Sequence, residues 1–332
     1  MLNCGKVTDA VYERSVHKIL GGWQLQDGCG AVRDRAGCRL EKIGLPSIAA
    51  ASAAAAGYDR HMAAAAVHQA VNRLAAAGGE ARGVLLQFTV PDSMDEKGLK
   101  SLTASAAAAC GWLQLAAGQS DVMVVPGLTT PMVTAVAIGD WAALFEPEPA
   151  REDQDIIMTG YAGFRGSSEL SEEHRESLWQ HFNPDFLSRL LEIDEAGTDF
   201  SCVSAVRAAA SAGVRTMYAA GEGGVFSAVW EMAGRDNLGA RIHLKTIPIR
   251  QETVEVCDYF NITPYQLLST GTLLLAADHE QKVLTELAAA GIPAVIIGHL
   301  TGDNDRVVLN EEEVRYLEPF RQDSISLSVG HK

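Results

Sequence analysis

Apolar positions recur along this chain with two different spacings, and the changes between them mark out alternating helices and strands. Met62, Ala66, Val67, Ala70, Val71 and Leu74 fall on one stripe at helical spacing. They give a core-facing side to an alanine-rich helical segment expected from about Ala49 to Ala77. Ahead of it the pattern predicts a helix near residues 7–20 and a Gly- and Arg-rich stretch to about Gly44. Strands are predicted at Gly83–Val90 and Val122–Val125, flanking a helical stretch around Leu99–Leu115, and the apolar run Val133–Ile138 follows. The charged segment Glu146–Asp155, with Pro147 and Pro149, suits an exposed linker.

Beyond the linker, a polar helix is expected around Ser171–Glu192, its charges forming a solvated face. Helices follow at Cys202–Ser211, Val225–Ala233 and Glu280–Ala290, with strands near Ala240–Leu244, Thr272–Ala276 and Ala294–Ile297 around the segment Ile247–Phe260. The order predicts an α/β protein of two domains, residues 1–150 and 151–332. No short-period solenoid repeat is visible.

Composition narrows the function classes. A chain of 332 residues supports two cores, and its hydrophobic (47%) and charged (21%) fractions are those of a globular protein. No apolar run reaches membrane-spanning length, so no membrane partner is expected. Asp9 and Glu13 interrupt the segment where a secretory peptide needs an apolar centre, which points to a cytoplasmic location. Lys plus Arg number 27 against 42 Asp plus Glu, a formal charge of -15. Such a surface repels a polyanion and argues against nucleic acid as a partner.

The six cysteines form no CxxC pair and read as reduced, mostly buried thiols. The nine histidines form no HExxH, and His61 and His68, seven apart, are two helical turns too distant to share an ion. No GxSxG elbow occurs.

The richest candidate chemistry lies in Val214–Glu231, where a β-branched strand runs into the turn Gly221, Glu222, Gly223 and Gly224 and then into a helix. That order aims main-chain N–H groups and a helix N-terminus at one point, as phosphate sites do. Glycines there permit positive φ and close ligand approach. A tight strand-to-helix connection with no ligand explains the same residues equally well. Glu222 suits a cation or water, and Ser269, Thr270 and Gly271 form a small-residue turn suited to backbone contact with a ligand. Arg250 and Glu252, after Pro248, suit a phosphate contact or a structural ion pair.

The runs Ala220–Ala233 (AGEGGVFSAVWEMA), Ile247–Ala276 and Gly291–Val308 resemble the C-terminal domain of AIR synthase-related (PurM-like) proteins. Val67–Pro91 is similar to the helix-then-strand piece of their N-terminal domain. That superfamily includes aminoimidazole ribonucleotide synthetase, the hydrogenase-maturation carbamoyl dehydratase, selenophosphate synthetase and thiamine monophosphate kinase. The resemblance implies a homodimer whose N-terminal strands close a β-barrel between two chains. It also implies ATP and Mg²⁺ in a groove, and phosphorylation of an oxygen of an amide or acid. The glycine turn would face the phosphate end of that groove.

Phosphoryl transfer needs carboxylates to hold Mg²⁺ against phosphate oxygens, and at the matching positions this chain departs from the family. Asn72 and Arg73 stand where the family has Asn-Asp, and a guanidinium cannot ligate magnesium. Leu45, Pro46 and Ser47 replace Ser-Asp-Pro, Tyr218 and Ala219 replace His-Asp, and Gly160 stands where some members have lysine. Gly118–Asp121 keeps one acid, Asp121, as the candidate metal ligand. The resemblance therefore assigns Asn72, Gly221, Glu222, Gly223, Gly224, Thr270 and Gly271 to a nucleotide or small-molecule site in which ATP and Mg binding is weak or absent.

Two functions stand. One is a ligand- or partner-binding dimer, pairing with itself or with an active relative. The other is an ATP-dependent enzyme acting on a small carboxamide, acid or phosphorylated metabolite, with acids such as Asp27, Asp34, Asp59 or Asp121 supplying the metal. The C-terminal residues Ser328–Lys332 contain no cysteine to carry a carbamoyl group, so that particular reaction is not expected.

Overall fold

The computed structural model describes residues 47–319 and 322–325, together with Arg14 and the two-residue strand Cys38–Arg39. The helix expected near residues 7–20, the acids Asp27 and Asp34, the pair Leu45 and Pro46, and the terminal Ser328–Lys332 lie outside the described residues.

The first sheet contains β1 (Cys38–Arg39), β2 (Ile48–Ala56), β3 (Glu80–Pro91), β4 (Ala116–Val125) and β5 (Met132–Asp140), with α1 (Met62–Ala76) and α2 (Glu96–Trp112) between strands. Its order is β1-β2-β5-β3-β4. Only β3 and β4 run parallel, joined by α2 as a crossover.

The alanine-rich stretch differs from the helix its composition suggests. Ile48–Ala56 is a strand paired with β5 along its whole length, from Ile48 opposite Asp140 to Ala56 opposite Met132. Alanine favours helix only weakly, and tertiary pairing overrides it. Ala49, Ala51 and Ala53 alternate inward and pack with Ala63, Ala64, Ala66 and Ala70 of α1 in one core, small side chains facing small side chains.

The second sheet has the order β12-β11-β8-β10-β6-β9-β7. Its strands are β6 (Asp155–Thr159), β7 (Thr216–Ala219), β8 (Gly239–His243), β9 (Leu273–Ala277), β10 (Ala294–Thr301), β11 (Arg306–Asn310) and β12 (Glu313–Tyr316). All pairings are antiparallel except β11 with β8. Every residue of β9 is buried, which is why it reads as an unbroken apolar run.

Around this sheet lie α3 (Phe164–Glu173), α4 (Arg175–His181), α5 (Pro184–Leu191), α6 (Val203–Ala212), α7 (Gly224–Arg235), α8 (Gln251–Phe260) and α9 (Glu280–Ala289). The single polar helix expected over Ser171–Glu192 is instead α4 and α5 with the end of α3. Phe182 turns extended and Asn183 caps α5, accepting from Asp185 N–H. These short helices are not merely solvated, because Leu170, Leu178, Leu187 and Leu190 enter a common core.

The expected linker also packs down. Ala150 and Gln154 are buried, Ala150 N–H donates to Asp236 Oδ2, and Glu148 N–H donates to Arg215 O. No described helix is long and apolar enough to cross a membrane.

Candidate functional site

Strand β7 ends at Ala219 and α7 starts at Gly224, so the chain must reverse within a few residues. Gly223 (φ 73°) and Gly224 (φ 63°) supply the left-handed backbone that this requires. A Cβ on Gly224 would stand 2.5 Å from Tyr265 O and 2.7 Å from Leu267 O. One on Gly221 would stand 2.6 Å from Gln69 Nε2 of α1. The turn is thus wedged between α1 and the segment leading to β9.

A second strand-to-helix turn arrives at the same loop. Between β6 and α3, Gly160 and Gly163 are also left-handed, and Gly163 N–H donates to Ser269 Oγ at 2.9 Å. Ser269 N–H donates in turn to Gly221 O at 3.1 Å. Two helix N-termini, those of α3 and α7, therefore converge on residues 267–269.

The N–H groups of this convergence already hold a carboxylate. Asp323, 3% exposed, accepts from Gly223 N–H at 2.6 Å, Leu268 N–H at 3.3 Å and Ile325 N–H at 2.9 Å. Burial pushes its carboxyl up to about 6, with Glu222 adding to the rise and the N–H groups opposing it. No sequence motif surrounds Asp323, and only the fold reveals it.

The other residues singled out in the sequence divide into two groups. Gly221 through Gly224, Thr270, Gly271 and Asn72 gather along the seam between α1 and the second sheet. Gly271 (φ 98°) would place a Cβ 2.4 Å from Asp199 O. Asn72 is fully buried beside the same segment, its Nδ2 donating to Phe200 O at 2.7 Å and its Oδ1 accepting from Cys202 N–H at 2.9 Å. The Asn72 amide thus bridges main-chain groups. Asp121 stands elsewhere, exposed on β4 with its carboxylate bonded to Val122 N–H.

Glu222 points to solvent from the turn. Arg73 donates to Ser52 O of β2, and Tyr218 bonds Glu231 through its hydroxyl. Arg250 lies over the rings of Phe164 (4.1 Å) and Tyr161 (5.0 Å), whereas Glu252 pairs with Arg189 at 3.0 Å.

A buried charge cluster joins the two halves of the seam. Arg165 of α3, 1% exposed, donates through Nη2 to Asp59 Oδ2 at 2.5 Å and lies 3.0 Å from Glu169 Oε2. Burial alone would raise the Asp59 carboxyl, but Arg165 and the His61 contacts overcome it and hold it down at about 2. Burial pushes Glu169 up to about 7, against the pull of Arg165 and with help from Asp59 and Glu173. Arg165 Nε and Nη1 have no hydrogen-bond partner among the described residues. Among the described residues, no group of three or more His, Cys, Asp or Glu is placed to hold a metal ion. Cys110, Cys202 and Cys257 are free and buried, and burial pushes Cys202 and Cys257 up to about 12, far from reactive thiolates.

Residues 151–310, which carry both glycine turns and β6 to β11 of the second sheet, match the family described as AIR synthase related protein, C-terminal domain. Nearly half of the chain is thus an AIR synthase-related domain. It is 25% identical over 252 residues to the carbamoyl dehydratase HypE of Rhizobium leguminosarum bv. viciae, a match spanning 73% of this chain and 69% of that protein. Among solved structures, HypE in a HypE-HypF complex superposes with a TM-score of 0.73 at 16% identity, covering 94% of this chain and 100% of that one. A hydrogenase maturation protein HypE in complex with ATP superposes with a TM-score of 0.68 at 17% identity, over 98% of both chains. At such identities the structural likeness bears on fold alone, and the fold is that of these HypE structures.

Proposed function

We propose that this protein binds a nucleotide or another phosphate-bearing small molecule at the seam between α1 and the glycine turn. It does so as a dimer in the cytoplasm, with Mg²⁺-dependent turnover of ATP weak or absent. The observation that carries this reading is the state of the carboxylates beside the seam: Asp59 is held by Arg165 and Asp323 by three N–H groups. A carboxylate already bonded to protein donors offers little to a hard cation, which needs several free oxygen ligands. A guanidinium stands at Arg73 where the resembling enzymes carry an acid, in keeping with the same conclusion.

A dimer is supported by β4. Val122, Met123 and Val124 are 44%, 54% and 59% exposed along an edge strand, and apolar strands left at an edge invite another strand. A second copy, or an active relative in a heteromer, would cover them.

The likeness to carbamoyl dehydratases over 252 residues favours a second reading, an ATP-dependent enzyme phosphorylating a small carboxamide, acid or phosphorylated metabolite. A melting experiment separates the two. Saturating ATP should raise stability by roughly 2–3 kcal/mol in EDTA and in Mg²⁺ alike. A rise that requires Mg²⁺, is accompanied by phosphate release, and is lost on Gly223→Leu would replace the first reading by the second.

A further inference from the structure

Residues 322–325 lie against the glycine turn. Ser324 N–H donates to Gln266 O at 3.2 Å, and Ile325 packs on the core that holds Phe164, Val256 and Leu267. Between these anchors, the Asp323 carboxylate sits among N–H groups from three separate places: the turn, the loop before β9 and its own segment. Main-chain N–H groups gathered at the start of a helix are how proteins hold a bound phosphate or carboxylate. Here the anion belongs to the chain itself.

A buried amide at the turn is only half satisfied among the described residues. Gln69 of α1, 7% exposed, donates through Nε2 to Ala220 O at 3.1 Å, while its buried Oε1 has no hydrogen-bond donor among the described residues. An orphaned acceptor beside an anion position suits a ligand oxygen that carries a proton, as in a phosphate monoanion or a hydroxyl.

We propose that residues 322–325 are a self-latch: Asp323 occupies the position of a ligand's phosphate or carboxylate group, and the ligand gains the turn only by displacing the segment. This rests on the phosphate-binding reading above. Because the two occupants exclude one another, a bound ligand loosens the segment by the same factor by which the segment weakens the ligand. Glu222 on the turn bears on the Asp323 charge, and Asp323 bears in turn on Glu169 of α3, so the latch holds an anion among acids.

The test uses the full chain, its Asp323→Asn variant, and a chain ending after residue 321, each titrated with inorganic phosphate and with ATP while amide exchange is followed. In the parent, Gly223 and Leu268 N–H should be protected, and saturating ATP should speed exchange at Ile325, a readout that needs no variant. Both altered chains should bind ATP about tenfold more tightly or better. Equal affinity in all three chains, or no change at Ile325 with ATP bound, overturns the latch and leaves the nucleotide reading intact. Binding of neither probe by any chain overturns the nucleotide reading, and the latch as a competitor with it.

Discussion

Asp59 and Arg165 meet at 2.5 Å across the seam, one at the entry to α1 and the other in α3, with 2% and 1% of their side chains exposed. The pair ties the element carrying Gln69 and Asn72 to the helix whose glycine cap shares the loop at Ser269. It fixes the geometry of the groove by charge as well as by packing.

Removing Asp59 breaks the shorter of the two carboxylate contacts to the buried Arg165 guanidinium and leaves Glu169 at 3.0 Å, and breaking a buried ion pair costs about 3–5 kcal/mol. Asp59→Asn should therefore lower stability by that order in urea unfolding. A loss below about 1 kcal/mol would mean that Arg165 finds other partners in the relaxed protein.

The acid groups set a pH profile. Glu169 titrates at about 7 in the fold against an ordinary 4.5, and Asp323 at about 6 against 3.8. The folded state holds their protons where the unfolded chain has released them, so stability falls as pH rises from about 4 to 7. Asp59, at about 2 against 3.8, has the opposite sign, and its contribution is lost as pH falls from 3.8 toward 2. Urea midpoints should therefore peak near pH 4. Glu169→Gln and Asp323→Asn should each flatten the descending limb, and an unchanged slope in both variants would contradict these assignments.

Gly224 and Gly213 both have positive φ, but among the described residues Gly224 alone of the two has neighbours within reach of a Cβ. Gly213→Ala should cost about 1 kcal/mol, the strain of the left-handed backbone alone. Gly224→Ala adds a clash with Tyr265 O and Leu267 O and should cost about 3 kcal/mol or more. Equal losses would show that the loop before β9 moves aside freely.

If β4 is the dimer edge, Met123→Lys with Val124→Lys should convert the protein to monomers in light scattering and abolish any rise of the urea midpoint with protein concentration. Dimers that survive both lysines would place the interface elsewhere.

The sequence was most informative where periodicity and tight turns agree. The helix predicted at Val225–Ala233 lies within α7, and the strand predicted at Thr272–Ala276 overlaps β9. It misled where composition outweighed pairing: Ile48–Ala56 looks helical by residue type, and only β5 alongside makes it a strand. The glycine turn was visible as a local pattern. Its occupant was not, because Asp323 lies about a hundred residues away and a lone acid near a chain end carries no signal. Arg165 escaped for the same reason, since a buried arginine is recognised by partners such as Asp59 that are distant in sequence.

The central claim is a phosphate-binding seam without metal-dependent turnover, and isothermal titration of ATP in EDTA and in Mg²⁺, with released phosphate assayed, tests it most directly. The account predicts affinities within about twofold of each other and no phosphate above the uncatalysed background. Affinity that appears only with Mg²⁺, together with steady phosphate release, would contradict it.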